Sequence, residues 1–312
     1  MNAAPGHLLG IDVGGTKIAA GILVWPEGRI LAQRIIPTNA GRSGRAVLDD
    51  VLGLARGLAS EAGGVAALGL GVCELVDREG RIVSANCIPW LEFPVQEELS
   101  GIAPAVIEAD VRAAALAEAR FGTGRGLRSF LYVTAGTGIS CSLVIEGMPW
   151  LGAHGATGTM ASSPLSFPCE HCGQVSRRTL EEIAAGPALV ARFNAAAGHA
   201  ASGQDVLAAA AAGNALAKQI VASAGEALES QIALLVNTLD PEAVIIGGGL
   251  GLSDGPYWEH FIAATRRHIW SGVHRDLPIL RAATGTDAGW IGAAARAAEQ
   301  FSVTPSLTTP TP

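Results

Sequence analysis

Leu8-Leu9-Gly10-Ile11-Asp12-Val13-Gly14-Gly15-Thr16-Lys17 is the stretch that decides how this chain folds. A short apolar run, Leu8 to Val13, carries one acid near its end and opens into two glycines, a hydroxyl and a lysine. Ile18 to Val24 and Arg29 to Ile36 read as strands, parted by a turn at Pro26-Glu27-Gly28. Two or three antiparallel strands joined by tight turns fit this spacing better than a strand passing directly into a helix. From Gly44 to Ala62, Val47, Val51, Leu54 and Leu58 recur at helical spacing, and Gly63-Gly64 stops the run. A buried strand is expected over Val65 to Val72, then a loop holding Asn86 and Pro89-Trp90, then a strand at Ala105 to Ala109. Asp110 opens an Ala-rich helix that ends at Gly122.

The pattern then restarts. Phe130 to Thr134 leads into Gly136-Thr137-Gly138, followed by Ile139 to Ile145 and a turn at Glu146-Gly147. Strand, Gly/Thr loop, strand and turn thus occur twice, an internal echo that points to two related domains. A Gly/Ser/Pro-rich loop is expected over Leu151 to Gly173, then helices from Leu180 onward, the longest from Asn214 to Asn237. A strand at Ala243 to Ile246 enters Gly247-Gly248-Gly249-Leu250-Gly251. The last helix is expected near Trp290 to Gln300, and the Thr/Pro tail from Ser302 to Pro312 reads as disordered.

Composition narrows the class. The 312 residues suit two domains. An apolar share of 49% excludes disorder for most of the chain. The net charge is −7 and Lys and Arg are scattered, the densest knots being the pairs Arg177-Arg178 and Arg266-Arg267. Nucleic acid is therefore not an expected partner, because its binders gather basic residues to neutralise phosphates. No continuous apolar stretch is long enough to span a membrane, and the first residues lack a signal-peptide pattern. Five cysteines, an odd number spread over 100 residues, do not read as a disulfide framework. The expectation is a soluble, cytoplasmic α/β protein.

Three Gly-rich loops, each following a strand, carry the chemistry. Glycines at strand ends let backbone amides approach a phosphate closely. None of the loops matches G-x-x-x-x-G-K-[ST], and the third lacks the spacing of a dinucleotide fingerprint.

Taken together, the loops resemble those of the ROK sugar kinases, within the actin/hexokinase-like ATPase superfamily. Leu9 to Lys17 is similar to the first phosphate motif of that family. Thr134-Ala135-Gly136-Thr137-Gly138-Ile139 is similar to the second. Leu239 to Gly249 is similar to the adenosine motif, and Gly292-Ala293-Ala294 to the closing helix. The resemblance implies a two-domain actin/hexokinase-like (ribonuclease H-like) fold with an inter-domain cleft. The expected division is a small domain over residues 1–118 plus about 291–301, and a large domain over 119–290. It further implies ATP and Mg²⁺ as cofactors and a small polyol or sugar as substrate; homodimers are common in the family.

The resemblance also implies residue roles. The family carries Asn-Asp at a strand end opening an Ala-rich helix, and Ala109-Asp110 stands here, so Asp110 is the expected catalytic base. Phosphoryl transfer to an alcohol needs positioning, charge neutralisation and a proton acceptor. A carboxylate at a helix start is favoured by the helix dipole and is expected to stay ionised. Local sequence alone reads Asp110 as a helix N-cap instead. Asp12 is expected to orient Mg²⁺ through water, with Gly14, Gly15 and Thr16 amides on phosphate oxygens and Lys17 beside them. Gly136, Thr137 and Gly138, and Gly247, Gly248 and Gly249, complete the expected ATP contacts.

Departures from the family cluster on the substrate side. The usual G-E-I-G-H reads Gly158-Thr159-Met160-Ala161-Ser162, so Thr159 and Ser162 replace the Glu and His that grip a hexose near its anomeric end. G-x-P-G-P-V-D reads Gly71 to Asp77 with Glu74 where Gly is usual, and Ser140 and Ser142 stand where a narrowing of the phosphate loop is expected. Asn86 and Glu181 match sugar-contacting positions. The zinc signature also fails: Ser162 stands for its His and Thr179 for its last Cys. Cys169, His171 and Cys172 remain as a variant set without an evident fourth ligand, so no metal site is assigned there. Each lost sugar hydrogen bond costs about 0.5–1.5 kcal/mol, which argues for a substrate with a different edge. A carbocyclic pseudosugar phosphorylated on its exocyclic hydroxymethyl, as by C7-cyclitol kinases, is the leading expectation. The alternatives are a glucokinase or other hexose or N-acetylhexosamine kinase using Glu74 in compensation, and a non-catalytic sugar sensor. ROK repressors carry a helix-turn-helix ahead of the kinase-like part, and none is expected before a strand that starts at Leu8.

Overall fold

The computed structural model describes residues 6–39, 41–168, 172–196, 199–253 and 256–303. It divides into two compact units, the first drawn from Met1–Gly126, Gly147–Thr157 and Asp287–Pro312, the second from Leu127–Glu146 and Gly158–Thr286. Gly147–Thr157, expected in the large domain, thus groups with the first unit. Residues 304–312 of the expected disordered tail lie outside the described residues.

The first unit begins with β1 (His7–Val13), β2 (Lys17–Val24), β3 (Arg29–Pro37), α1 (Gly44–Glu61), β4 (Ala67–Val72), α2 (Val95–Ser100), β5 (Ala105–Ala109) and α3 (Asp110–Phe121). Its sheet runs β3-β2-β1-β4-β5, with β1 antiparallel to β2 and parallel to β4, and β4 parallel to β5. The Gly14 amide donates to the Lys17 carbonyl at 3.0 Å, closing the tight turn between β1 and β2. Ser43 caps α1 by accepting from the Ala46 amide at 3.2 Å. Val47, Leu48, Val51, Leu52, Ala55 and Leu58 then recur on one buried face. That face packs with Leu9, Ile11, Leu68 and Leu70. α2, only six residues long, is too short to show a helical period in the sequence.

The second unit holds β6 (Ser129–Ala135) and β7 (Ile139–Ile145); a two-residue strand β8 (Met148–Pro149) follows them in the chain. Next come β9 (Pro164–Pro168), β10 (Val175–Thr179), α4 (Leu180–Ala184), α5 (Gly186–Ala196), α6 (Gly203–Ala211), α7 (Ala215–Leu239), β11 (Ala243–Gly247), α8 (Pro256–His268) and β12 (Ile279–Arg281). Its sheet runs β12-β11-β6-β7, with β6 and β7 antiparallel and β11 parallel to both β6 and β12. Ile220, Ala224, Leu228, Ile232 and Val236 of α7 pack with Leu131, Val133, Val244 and Ile246 of the sheet. The long loop expected over Leu151 to Gly173 contains a short 3-10 turn, Thr159–Ser162, and β9, which among the described residues pairs only with β10. A strand bounded by two prolines and paired on one side carries no alternation that sequence reading can detect.

The chain returns to the first unit with α9 (Ala288–Gln300). Gly21, Gly10 and Gly69 are register partners across β2, β1 and β4, a row of glycines on one face of the sheet. α9 lies in that row. A Cβ at Gly10 would stand 1.9 Å from the Trp290 carbonyl oxygen, and one at Gly69 would stand 1.8 Å from that of Ala293. A Cβ at Gly21 would strike the Trp290 ring at 2.7 Å. On the far side Gly292 does the same for α3, where its Cβ would stand 1.6 Å from the Ala113 carbonyl oxygen. Trp290 is fully buried there. Among the described residues no single helix is long and apolar enough to cross a membrane.

Candidate active site

Parallel pairing brings Asp12, Glu108 and Asp110 to the carboxyl ends of β1 and β5. Asp12 is in register with Gly71, and Gly71 with Glu108; one step on, Val13, Val72 and Ala109 form the next row. Cys73 and Asp110 are the residues immediately beyond that row. In open α/β sheets the carboxyl ends of parallel strands are where ligands bind, because loops and helix N-termini converge there.

Asp110 is the first residue of α3, and the N-cap position belongs to Ala109, which makes no side-chain cap. The Asp110 Oδ1 accepts from the adjacent Val111 amide at 2.6 Å. The carboxylate therefore does not do the work of a cap, and its second oxygen has no hydrogen-bond partner among the described residues. Burial pushes its pKa up to about 6, against the opposing effects of the Val111 amide and Arg112, with Glu74 adding to the rise. The helix start thus does not hold it at an ordinary carboxylate value, because desolvation outweighs the terminus. Asp12 is pushed up to about 7, first by burial, then by Asp110, with Lys17 opposing. Two desolvated carboxylates whose pKa values stay raised despite Lys17 and Arg112 make a site that a divalent cation fits.

The first Gly loop is braced from the end of β3. The buried Thr38 hydroxyl donates to the Gly14 carbonyl at 2.7 Å, and the Thr38 amide donates to the Thr16 carbonyl at 3.0 Å. Because the Gly14 amide is committed to Lys17, it is not free for a phosphate as expected. The Gly15 and Thr16 amides have no hydrogen-bond partner among the described residues. A Cβ at Gly15 would meet nothing within 4 Å, and its φ is not in the left-handed region. The fold itself gives no reason for glycine there; open space for a ligand does.

Glu74 corrects a sequence expectation. It is 3% exposed, and its carboxylate accepts four hydrogen bonds, from the Ser84 hydroxyl and the amides of Asn86, Cys87 and Ile88. Burial pushes its pKa up, but these four donors outweigh it and hold the group below the usual carboxylate range. Both oxygens are occupied, so Glu74 organises the 84–88 loop and is not a substrate contact. The side chain of Asn86 on that loop is exposed. Arg112, 1% exposed, ties α3 to the same region: it donates to Glu108 at 2.6 Å, to the Val76 carbonyl at 2.7 Å and to the Gly155 carbonyl.

In the second unit the two remaining Gly loops meet. The amides of Leu250 and Gly251 donate to the Ala135 carbonyl at 2.9 and 3.1 Å. A Cβ at Gly248 would stand 2.4 Å from that oxygen, and one at Gly247 would stand 2.2 Å from the Tyr132 hydroxyl. These two glycines are required by packing, whereas a Cβ at Gly249 would meet nothing within 4 Å. The second loop is closed by the Gly136 amide donating to Gly138 at 3.0 Å and by the Gly186 amide donating to Gly136 at 2.8 Å. Thr137 lies between those two glycines. Glu181 Oε2 accepts from the Ile139 amide at 3.0 Å, so this expected sugar contact also props the second loop.

Ser140 donates to the Gly158 carbonyl at 3.1 Å and pins the Thr159–Ser162 turn to β7, while Ser142 is buried within the β6–β7 pair. Ser162 donates to the Thr159 carbonyl at 2.7 Å, within its own turn. Thr159 is exposed. Thr179, standing for the last zinc cysteine, is instead the N-cap of α4 in a reciprocal capping box with Glu182. Cys169 and His171 lie outside the described residues; Cys172 is an exposed free thiol.

Thr38, Arg112 and Gly289, whose Cα lies against the Asp12 carboxylate, are contributors that the local sequence does not mark. Each acts on a residue far away in the chain, so no local pattern marks them.

Known proteins match this arrangement over nearly its whole length. A glucokinase of Streptomyces coelicolor is 29% identical over 94% of this chain and 98% of its own. An N-acetylmannosamine kinase of Shigella boydii is 29% identical over 92% of this chain and 96% of its own. The crystal structure of a ROK family glucokinase from Streptomyces griseus, in complex with glucose and AMPPNP, is 30% identical. It superposes with a TM-score of 0.81 over 94% of this chain and all of that one. The pattern that defines the ROK family spans residues 8–300, and the chain belongs to the ROK family.

Proposed function

We propose that this chain is an ATP-dependent kinase that transfers the γ-phosphate to a hydroxyl of a sugar-like polyol. The observation that carries the reading is Asp110: a desolvated carboxylate at a helix start, with one oxygen uncommitted and a pKa of about 6. Such a group is ionised at neutral pH and basic enough to take the proton of an attacking hydroxyl. Asp12 and the open amides of Gly15 and Thr16 would hold the metal-bound phosphates. A divalent cation such as Mg²⁺ held there would supply neutralisation of phosphate charge. Gly136, Thr137 and Gly138 with Gly247, Gly248 and Gly249 form the nucleotide side, and Gly249 offers the open approach.

We further infer that the acceptor is a cyclitol or pseudosugar. Thr159 and Ser162 occupy the positions expected to grip the anomeric edge, and the Ser162 hydroxyl is spent on its own turn. A hexose kinase that used Glu74 in compensation would need a free carboxylate oxygen, and Glu74 has none. A substrate lacking a ring oxygen and an anomeric hydroxyl makes neither demand.

The test is an ATP-consumption screen with Mg²⁺ over hexoses, N-acetylhexosamines and cyclitols. A cyclitol as best acceptor is the expected result. Glucose as best acceptor overturns the cyclitol reading and keeps the kinase; turnover with no candidate favours a sugar sensor.

A further inference from the structure

The phosphotransfer reading leaves one side-chain cluster unused. Cys73 follows β4 directly, and Cys87 follows Asn86 in the loop that Glu74 organises. Their sulfurs and a Glu74 carboxylate oxygen all lie within 4.8 Å of one another. Neither cysteine is in a disulfide. Cys87 is exposed and Cys73 half-buried.

We propose that Cys73 and Cys87 are a redox-responsive pair, oxidised by a hydroperoxide to an intramolecular disulfide that restrains the Asn86 loop and slows phosphorylation of the acceptor. A metal is the competing use of this cluster. Both Glu74 oxygens already serve four donors, which leaves two thiols, half of a tetrahedral set.

Both cysteines are tethered through their backbone amides. The Cys73 amide donates to the Val13 carbonyl at 3.2 Å, and the Cys87 amide donates to Glu74 at 2.6 Å. Neither chain segment must unfold for the sulfurs to meet. The Cys73 thiol is held far above its ordinary range, first by its hydrogen bond to Cys87, then by burial. Cys87, the exposed member of the pair, is the sulfur that a hydroperoxide reaches first.

The chemistry balances in two steps. The Cys87 thiolate attacks one peroxide oxygen, the O–O bond breaks, and hydroxide leaves a sulfenic acid on Cys87. The Cys73 sulfur then attacks the Cys87 sulfur. The S–S bond forms, the S–O bond breaks, and the departing hydroxide takes the Cys73 proton as water. Each disulfide consumes one peroxide and two thiols; a dithiol reductant reverses it.

The consequence follows from adjacency. Asn86 neighbours one of these cysteines, and Asp110 acts electrostatically on the other. Drawing the sulfurs to bonding distance moves the loop that presents Asn86. None of the three loops assigned to ATP holds a cysteine, and the Cys73 amide on Val13 anchors the end of the pair nearest the first of them. The effect should thus fall on the acceptor and not on ATP.

This regulation rests on the phosphotransfer reading, and the experiment separates the two. The chain carrying C169S and C172S keeps three cysteines, Cys73, Cys87 and the buried Cys141. Treated with hydrogen peroxide, it should lose two titratable thiols and about 2 Da of intact mass. Acceptor kcat/KM should fall at least about tenfold, the scale expected of a small misplacement of a positioned substrate, with ATP KM unchanged and recovery in dithiothreitol. Adding Cys87→Ser, or Cys73→Ser as a second variant, should abolish the response relative to each protein's own reduced form. A stable gain of about 16 or 32 Da without disulfide, retained thiols, or bound zinc in the purified chain overturns the pair. A disulfide that leaves acceptor kinetics unchanged overturns the regulation. A chain that forms the disulfide but phosphorylates no acceptor overturns the kinase reading, while mass and thiol count still establish the pair.

Discussion

Gly289, in the first turn of α9, lies directly against the carboxylate of Asp12: a Cβ at 289 would stand 2.4 Å from Oδ2 and 2.5 Å from Cγ. The acid at the end of β1 therefore has its position set by a helix that starts 276 residues later in the chain. Replacing Gly289 by Ala favours the helix by up to about 1 kcal/mol, but it must push the carboxylate aside. Gly289→Ala should leave the thermal midpoint within a few degrees, lower kcat at least about tenfold and raise the Mg²⁺ concentration needed for half-maximal rate. A kinetically silent variant would show that the position of Asp12 does not matter to turnover.

Asp110→Asn removes the proposed base while keeping its shape, and should lower kcat by about 10²–10⁴-fold. In the unaltered protein, acceptor kcat/KM should rise with pH and level off above an apparent pKa near 6. Asp12 titrates beside it at about 7. The acid limb therefore belongs to the pair, and the Asp12→Asn variant should shift it downward by relieving the charge repulsion.

Asp12 and Asp110 also carry a stability consequence. Both bind a proton more tightly in the folded chain, since both pKa values lie above the unfolded value of 3.8. Their contribution to stability is complete below that value and is lost as pH rises through about 6 to 7. Asp12→Asn should thus raise the melting temperature at pH 8, by about 2–4 °C for each kcal/mol recovered, while turnover falls. Scans at pH 5 and pH 8 check the sign: the gain should shrink at the lower pH.

What the sequence made legible were features encoded locally. The Gly/Thr turns, the α1 face from Val47 to Leu58 and the Asp110 helix start all show in a few neighbouring residues. Glu74 misled because its four donors come from residues 84–88, and a solitary acid in a loop looks the same whether saturated or free. Gly14 misled for a related reason: a turn that resembles a phosphate cradle spends one of its own amides on closing itself. Gly10, Gly21 and Gly69 read as ordinary strand residues, and only the register of three strands shows that they seat one helix.

Glu74→Gln keeps the volume but turns an amide NH₂ toward N–H donors, leaving buried groups unpaired at a cost of about 1–3 kcal/mol. Because the Glu74 pKa is held low, its contribution is present above the unfolded pKa and is lost as pH falls through the folded one. Urea unfolding at pH 7 should show the loss, and at pH 3 the difference from the unaltered protein should shrink. Acceptor KM should rise through the Asn86 loop while ATP KM stays put; an unchanged acceptor KM would remove Glu74 from the substrate side altogether.

Gly15 and Gly249 test whether the Gly loops are shaped by a ligand or by the fold. At both positions a Cβ meets nothing within 4 Å and φ is not left-handed, so Ala adds a methyl to open space. Gly53 and Gly57 on the exposed side of α1 share that property. Alanine there should stabilise the helix by about 0.5–1 kcal/mol and leave both KM values alone. If Gly15 and Gly249 were loop residues of no further use, their alanine variants would be equally neutral. If backbone must come close to a nucleotide, each methyl occupies the ligand's space and costs binding without costing stability. The expected result is an unchanged melting temperature, an ATP KM raised about tenfold or more in each variant, and an acceptor KM within error of the starting protein. Equal ATP KM values across all four alanine variants would assign these loops to folding alone.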